Sequence, residues 1–322
     1  MTIGSTPNLM KTKTKNLAGV NREQGIELAL SVAANDLPGL AQALENIEER
    51  GNPGNRGTWA YYAKRLRKWI ARGMDGETPF SIFRENGNKK LPFYAFSTCP
   101  GIDCPGAGDC LYSEDGKYGR GWCYSFKAWR YPAAFFRQLQ NSLLMRNRRE
   151  IVLAAFHAIP ANRTVRLYVD GDFYSASALL FWMEACKGRN DLSIYGYSKS
   201  WELIKDLHAT GYAWPENYFL NLSSGSKYGE LWKKAMDALG IARGDFIAVP
   251  VDSKHIKNKA YQDKANPGSK EYRREVLERL KEMTTGKMFA CPGNCGNCMP
   301  NKEHACGSDK MSGVTIAIGI HS

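Results

Sequence analysis

Histidine is scarce in this chain, with 5 in 322 residues, and the 32 carboxylates are outnumbered by 44 lysines and arginines. No His-Glu-x-x-His helix, Gly-x4-Gly-Lys-Ser/Thr loop or Gly-x-Ser-x-Gly elbow occurs. Zinc proteolysis, nucleotide hydrolysis on a phosphate loop and serine hydrolysis are therefore unsupported. Long apolar runs are missing too. The longest, Ile151 to Ile159, is far too short to cross a bilayer, so no membrane partner is expected. No apolar stretch follows Lys11, Lys13 and Lys15, so no secretory signal is expected and the chain is assigned to the cytoplasm. The acidic deficit leaves a formal charge of +12, which favours a polyanionic partner, above all nucleic acid.

What the chain does have is cysteine in company. Eight of its 9 cysteines form two groups of four: Cys99, Cys104, Cys110 and Cys123, then Cys291, Cys295, Cys298 and Cys306. In a reducing compartment such groups read as metal sites rather than disulfides. Four thiolates suit either tetrahedral zinc or an iron–sulfur cluster, and the Gly-Pro-rich path of both groups lets backbone amides turn toward the sulfurs. Zinc ribbons pair ligands as two Cys-x2-Cys knuckles, and only Cys295/Cys298 has that spacing. The irregular first group suits an iron–sulfur cluster, of 4Fe–4S type, better than zinc; zinc stays the alternative at both. Cys186, in an apolar helix, reads as a small core residue. His157 reads as core as well, and His304 and His321 are candidates for a metal site and for the mouth of the fold.

Periodicity gives three expected regions. Residues 1–20 form a flexible basic tail, 21–88 a helical basic region, and 89–322 a Cys-rich α/β domain. Asp36 is the expected N-cap of a helix ending near Arg50, before the Gly51-Asn-Pro-Gly54 break. The next helix, Thr58 to Arg72, sets Trp59, Tyr62, Leu66, Trp69 and Ile70 on one face. Lys64, Arg65, Arg67, Lys68 and Arg72 fall largely on the other and are the candidate phosphate contacts. A solvated basic face on an ordinary amphipathic helix is the competing reading. Beyond, strand-like runs alternate with helices: Leu91–Ser97, a long helix from Phe126 to Glu150, then Thr164–Val169, Leu192–Tyr197, Tyr218–Leu222, Phe246–Val251 and Val314–Ile320. Such alternation builds a parallel sheet, open or closed as a TIM-like or partial (β/α) barrel. Functional groups then gather at the carboxyl ends of the strands. The first cysteine group and the loops of Asp170, Lys199 and Ser223 should share one mouth, with Asn221, Ser223 and Ser224 as weaker candidate groups. Asp170 and Asp172 could meet a cationic group or simply cap the next helix, and Lys199 could hold an anion.

The order strand, Cys-rich loop, helix, strand, Gly-acidic turn resembles the radical S-adenosylmethionine (SAM) barrel. That resemblance implies a cluster on the first loop and makes Asp170, Gly171 and Asp172 the turn that meets the SAM amino group; Asp172, and Lys199 by its place after a strand, are the catalytic candidates. More narrowly, Cys-Pro-Gly…Cys-Tyr, Gly-Asp-Phe-Tyr-Ser and Tyr-Ser-Lys-Ser resemble the gene product 88-like proteins of phages and plasmids. The superfamily spacing, Cys-x3-Cys-x2-Cys, departs from the first loop's Cys-x4-Cys-x5-Cys-x12-Cys and occurs instead at Cys291, Cys295 and Cys298. Four protein ligands close a cluster, so an open iron requires one cysteine of a group to stay out of the coordination sphere.

The expectation is an iron–sulfur, radical SAM-like protein of phage or plasmid type, acting on or binding nucleic acid or a nucleotide. A non-catalytic DNA- or RNA-binding protein braced by two four-cysteine metal sites, with a replication or regulatory role, is the alternative. An electron carrier is a third reading, which so large a barrel disfavours.

Overall fold

A computed structural model describes residues 20–85, 91–252, 267–293, 295 and 305–320. The expected tail lies almost wholly outside them, as do Cys298, His304 and His321. Three capped helices open the chain: α1 (Arg22–Ala33), α2 (Leu37–Glu49) and α3 (Trp59–Ala71). Asn21 and Gln24 form a reciprocal capping box on α1, the Asp36 carboxylate accepts from Gly39 N at 2.9 Å, and Thr58 caps α3. The aromatic face of α3 is core, as its periodicity predicts. Trp59 meets Phe135 and Phe136 at 5.4 and 5.6 Å, and Leu66 and Trp69 are fully buried.

The long helix expected from Phe126 to Glu150 is three pieces. A 3-10 segment (Tyr124–Arg130) leads into α4 (Pro132–Asn147), and α5 (Arg149–His157) follows a kink at Arg148, φ −145°. Pro132 has no N–H to continue a helix but fits the first turn of a new one. The short α5 ends at His157, which is exposed, not core as its apolar neighbours suggested.

The remainder alternates: β1 (Tyr94–Ala95), β2 (Thr164–Leu167), α6 (Ala176–Lys187), β3 (Ser193–Ser198), α7 (Trp201–Ala209), β4 (Tyr218–Ser223), α8 (Glu230–Ala238), β5 (Ala242–Pro250), α9 (Pro267–Lys281), β6 (Met288–Ala290) and β7 (Thr315–Ile320). The seven strands make one all-parallel sheet in the order β1-β2-β3-β4-β5-β7-β6, an α/β architecture consistent with a partial parallel barrel. Its two faces differ. Val165, Leu167, Ile194, Leu220 and Leu222 enter the core shared with α1–α4 and α6, whereas Tyr195, Tyr197, Phe219, Phe246 and Ile316 line the other face. Tyr195 and Tyr197 pack edge to face at 5.9 Å, so the expected shared face holds. Cys186 is fully buried, as expected.

Candidate active site

The first cysteine loop leaves β1 as an extension of the sheet. Thr98 N donates to Asp170 O at 3.0 Å and Val169 N to Phe96 O at 2.9 Å. Cys99 is then fastened to α4: its N–H donates to Ser142 Oγ at 2.9 Å, and Ser142 Oγ donates to Asp103 Oδ2 at 2.6 Å. Arg146 pairs with buried Asp103 at 2.7 Å, its guanidinium 4.3 Å above the Tyr174 ring. Beyond this lock the loop crosses the ends of β3 and β4 through glycines. A Cβ on Gly106 would stand 1.6 Å from Lys199 O, and one on Gly108 2.7 Å from Ser226 O. Gly108 N donates to Gly225 O and Lys227 N to Gly106 O, each at 2.9 Å, and Cys123 N donates to Cys110 O at 2.7 Å.

These ties bring Cys104, Cys110 and Cys123 to the wall of one cavity of about 80 Å³, together with Asp170, Gly171, Asp172, Lys199 and Ser223. Cys99 is not among its lining residues. The first group is thus three cysteines facing a common space and a fourth held against α4. The Asp170–Gly171–Asp172 turn, Lys199, Ser223 and Ser224 share that mouth, and Asn221 does not line it.

Asp172, 3% exposed, is fully engaged: Oδ1 accepts from Phe173 N and Ser198 Oγ, both at 2.8 Å, and Oδ2 from Lys199 N at 2.7 Å. Burial raises its carboxyl above the usual range despite these donors. Asp170 is likewise raised by burial, opposed by hydrogen bonds from Ser125, Ser97 and Gln138 and by the charge of Arg166. The Gln138 amide is itself oriented, accepting from Trp129 Nε1 at 2.7 Å and donating to Asp170 at 2.9 Å. Between them Gly171 holds φ +81°, and a Cβ there would meet Thr98 Oγ1 at 2.0 Å, so only glycine fits.

Lys199 Nζ donates to Ser223 Oγ at 2.8 Å. Burial lowers this ammonium, but the negative charge of Cys110, Asp172, Cys104 and Cys123 outweighs it, and the net shift is upward. The reverse coupling helps the thiols. Burial raises Cys104 and Cys110, and Lys199 opposes it at both. Tyr168, at the end of β2, has φ +52°, a strained setting for a bulky residue, and is held by Phe173 at 5.0 Å and by Trp182 Nε1, which donates to its hydroxyl at 2.9 Å.

The second cysteine segment packs on the inner sheet face. Cys291 N donates to Ala317 O at 2.6 Å, and Cys291, Cys295 and Cys306 join Tyr195, Tyr197 and Phe289 in one cluster. Asn221 anchors it, donating to Cys306 O at 2.9 Å while accepting from Arg243 Nε at 2.6 Å. Arg166 stands between the two cysteine groups, stacked 4.5 Å from the Tyr197 ring and lining the first cavity. Among the described residues, no three His, Cys, Asp or Glu side chains converge tightly enough to hold a single metal ion.

The cysteine loop, the Asp-Gly-Asp turn and the second segment all fall inside one family match. Residues 67–308 fit the model described as gene product 88. The chain belongs to the gene product 88 family. It is a protein of phage and plasmid type, as the short motifs implied. No curated protein and no solved structure matches the chain.

The match begins within α3, whose basic face is partly neutralised. Lys64 and Arg67 reach Glu48 at 3.9 and 2.7 Å, and Arg67 also reaches Glu45 at 3.6 Å. Arg65, Lys68 and Arg72 line a separate cleft with Asp75 and Glu77. The larger cleft, about 720 Å³, lies elsewhere, between α4, β1 and the 3-10 segment, and shares Tyr124, Ser125, Val169 and Asp170 with the cysteine cavity. Arg84, Lys127, Arg130 and Arg137 line it, and sequence reading passed over all four as site residues. One signal was available: Arg137, Gln138, Gln140, Asn141 and Ser142 interrupt the apolar residues in the middle of α4, and the last four are buried.

Proposed function

We propose that this protein is an iron–sulfur enzyme of radical SAM type, with the cluster ligands Cys104, Cys110 and Cys123, acting on nucleic acid or a nucleotide. The observation that carries the reading is that three thiols, not four, face one cavity at the carboxyl ends of parallel strands, with a lysine ammonium among them. Tetrahedral zinc needs sulfurs ~3.8 Å apart around one point. A 4Fe–4S cluster takes its thiolates at separate corners, and three of them leave one iron open. Cys104, Cys110 and Cys123 would hold a 4Fe–4S cluster with one iron left open, which would supply the electron for reductive cleavage of SAM.

The chain's own residues set the stage. Lys199 offsets the charge of the thiolates and is itself steadied by Ser223. Asp172 positions Lys199 by gripping its backbone N–H, and its oxygens are already occupied. Asp170 faces both cavities and offers a carboxylate to an ammonium group such as that of SAM, with Gly171 allowing the close backbone approach. Cys99, bonded into the Ser142–Asp103–Arg146 lock, fixes the loop rather than a metal.

The second reading is a non-catalytic DNA- or RNA-binding protein braced by metal. It draws on Cys291, Cys295 and Cys306, enclosed by aromatic rings where a closed cluster or zinc would stiffen the sheet. The deciding experiment is anaerobic reconstitution with iron and sulfide, reduction with dithionite in the presence of SAM, and chromatography for 5′-deoxyadenosine. Its formation supports the enzyme. Its absence from protein that binds zinc stoichiometrically leaves the bracing role alone.

A further inference from the structure

We infer that the 720 Å³ cleft beside the cysteine cavity is a single-stranded nucleic-acid channel, with strand phosphates on Arg84, Arg130 and Arg137 and bases stacked on Tyr124 and Tyr131. This deepens the nucleic-acid part of the reading above and stands apart from its redox part.

The charge balance points this way. Among the described residues, Arg84, Arg130 and Arg137 line the cleft with one carboxylate, Asp170, which Gln138 already engages at 2.9 Å. Among the described residues no carboxylate pairs with Arg84, Arg130 or Arg137, and the buried Nε of Arg137 has no hydrogen-bond partner. Glu85, the neighbouring acid in sequence, is engaged by the Tyr94 hydroxyl. Burial, and next the charge of Arg84, pushes the Arg137 guanidinium down to about 10, so it stays charged at neutral pH beside a second unpaired cation. A half-buried guanidinium with its Nε enclosed and unpartnered, and no carboxylate against it, is a site for a planar or tetrahedral anion. Arg137 leaves α4 next to Gln138, whose amide reaches Asp170, so the anion site and the cysteine cavity are coupled through one helix turn.

Aromatic placement distinguishes a strand from a small phosphate ester. Tyr124 and Tyr131 are 46% and 64% exposed, large rings left in solvent on a segment that also carries Lys127 and Arg130. Exposed rings interleaved with cations are what tracks a single strand, since every base offers a π face. The cleft leads to Asp170 at the edge of the cysteine cavity, which delivers one nucleotide unit to that site. A base inside a duplex could not reach it without leaving the stack.

The test is fluorescence anisotropy of a short labelled single strand with the full chain, before and after cluster reconstitution. Arg137→Gln and the exposed-rim variants Arg130→Gln and Tyr131→Ala should each weaken binding about tenfold, with the arginine variants lowering the salt slope by about one. The rim variants leave the core untouched, so they keep the test valid if Arg137→Gln melts early. Affinity within twofold of the parent in both rim variants overturns the channel. So does a loss produced only by Lys68→Gln and Arg72→Gln on α3, or a mononucleotide that binds the cleft while a single strand does not. Cleft-dependent binding without 5′-deoxyadenosine leaves this inference standing and removes the redox reading; 5′-deoxyadenosine with cleft-independent binding does the opposite.

Discussion

Single residues divide the first cysteine group by position. Cys104, Cys110 and Cys123 face the cavity with Lys199, while Cys99 sits behind it on the Ser142–Asp103–Arg146 lock. Alanine at Cys104, Cys110 or Cys123 should therefore abolish iron retention at the first site, whereas Cys99→Ala should keep it, as iron and sulfide analysis will show. The lock itself is a buried ion pair. Removing one partner leaves Asp103 charged with nothing to balance it, so Arg146→Met should destabilise by about 3–5 kcal/mol in denaturant unfolding. Loss under 1 kcal/mol would mean that the loop is held elsewhere. Spacing could not reveal this division, because it depends on α4 supplying Ser142 and Arg146 from far along the chain.

Elements carry the loop into place, and there the glycines decide. Gly106 passes against Lys199 O and Gly171 against Thr98, so Gly106→Ala or Gly171→Ala forces the Cys loop off the strand ends. Each should cost about 1–3 kcal/mol and reduce iron retention together with stability, read by melting and metal analysis on the same sample. Unchanged values would show a looser junction. At this scale much was legible. Asp36 and Thr58 mark helix starts by their capping chemistry, and β2, β3, β4 and β7 repeat the expected strand runs to within two residues, whereas β1 keeps only Tyr94–Ala95 of Leu91–Ser97 and β5 starts at Ala242, ahead of Phe246. The break at Pro132 was written in the chain but hidden by apolar residues on both sides of it. Strand β6, three residues long, was too short for any period to register, although it sets Cys291 at a strand end like Cys99. Arg137 was missed because arginine in a helix ordinarily reaches water, and only packing shows its Nε enclosed.

Among the described residues, three hydrophobic clusters pack on one parallel sheet, with tyrosines buried on both faces. Burial raises the hydroxyls of Tyr168, Tyr195 and Tyr218, and the Cys186 thiol, above their ordinary values. In the unfolded chain these groups ionise at about 10 for tyrosine and about 8.5 for cysteine, while the folded chain keeps their protons. Stability is full below the unfolded values and falls as pH rises through them, by up to ~1.4 kcal/mol per pH unit for each group. Melting temperature should thus drop steeply on the alkaline side and stay level near neutrality; a flat alkaline profile would contradict the burial. The net charge of +12 and the cations lining the cleft beside the cysteine cavity would orient the proposed anionic strand toward that side. The most direct measurement of the central claim is the electron paramagnetic resonance spectrum of the anaerobically reconstituted, reduced protein with and without SAM. Three cysteines and one open iron predict a cluster signal that SAM alters and that vanishes from the first site in Cys104→Ala. A signal indifferent to SAM, or none from iron-loaded protein, would contradict it.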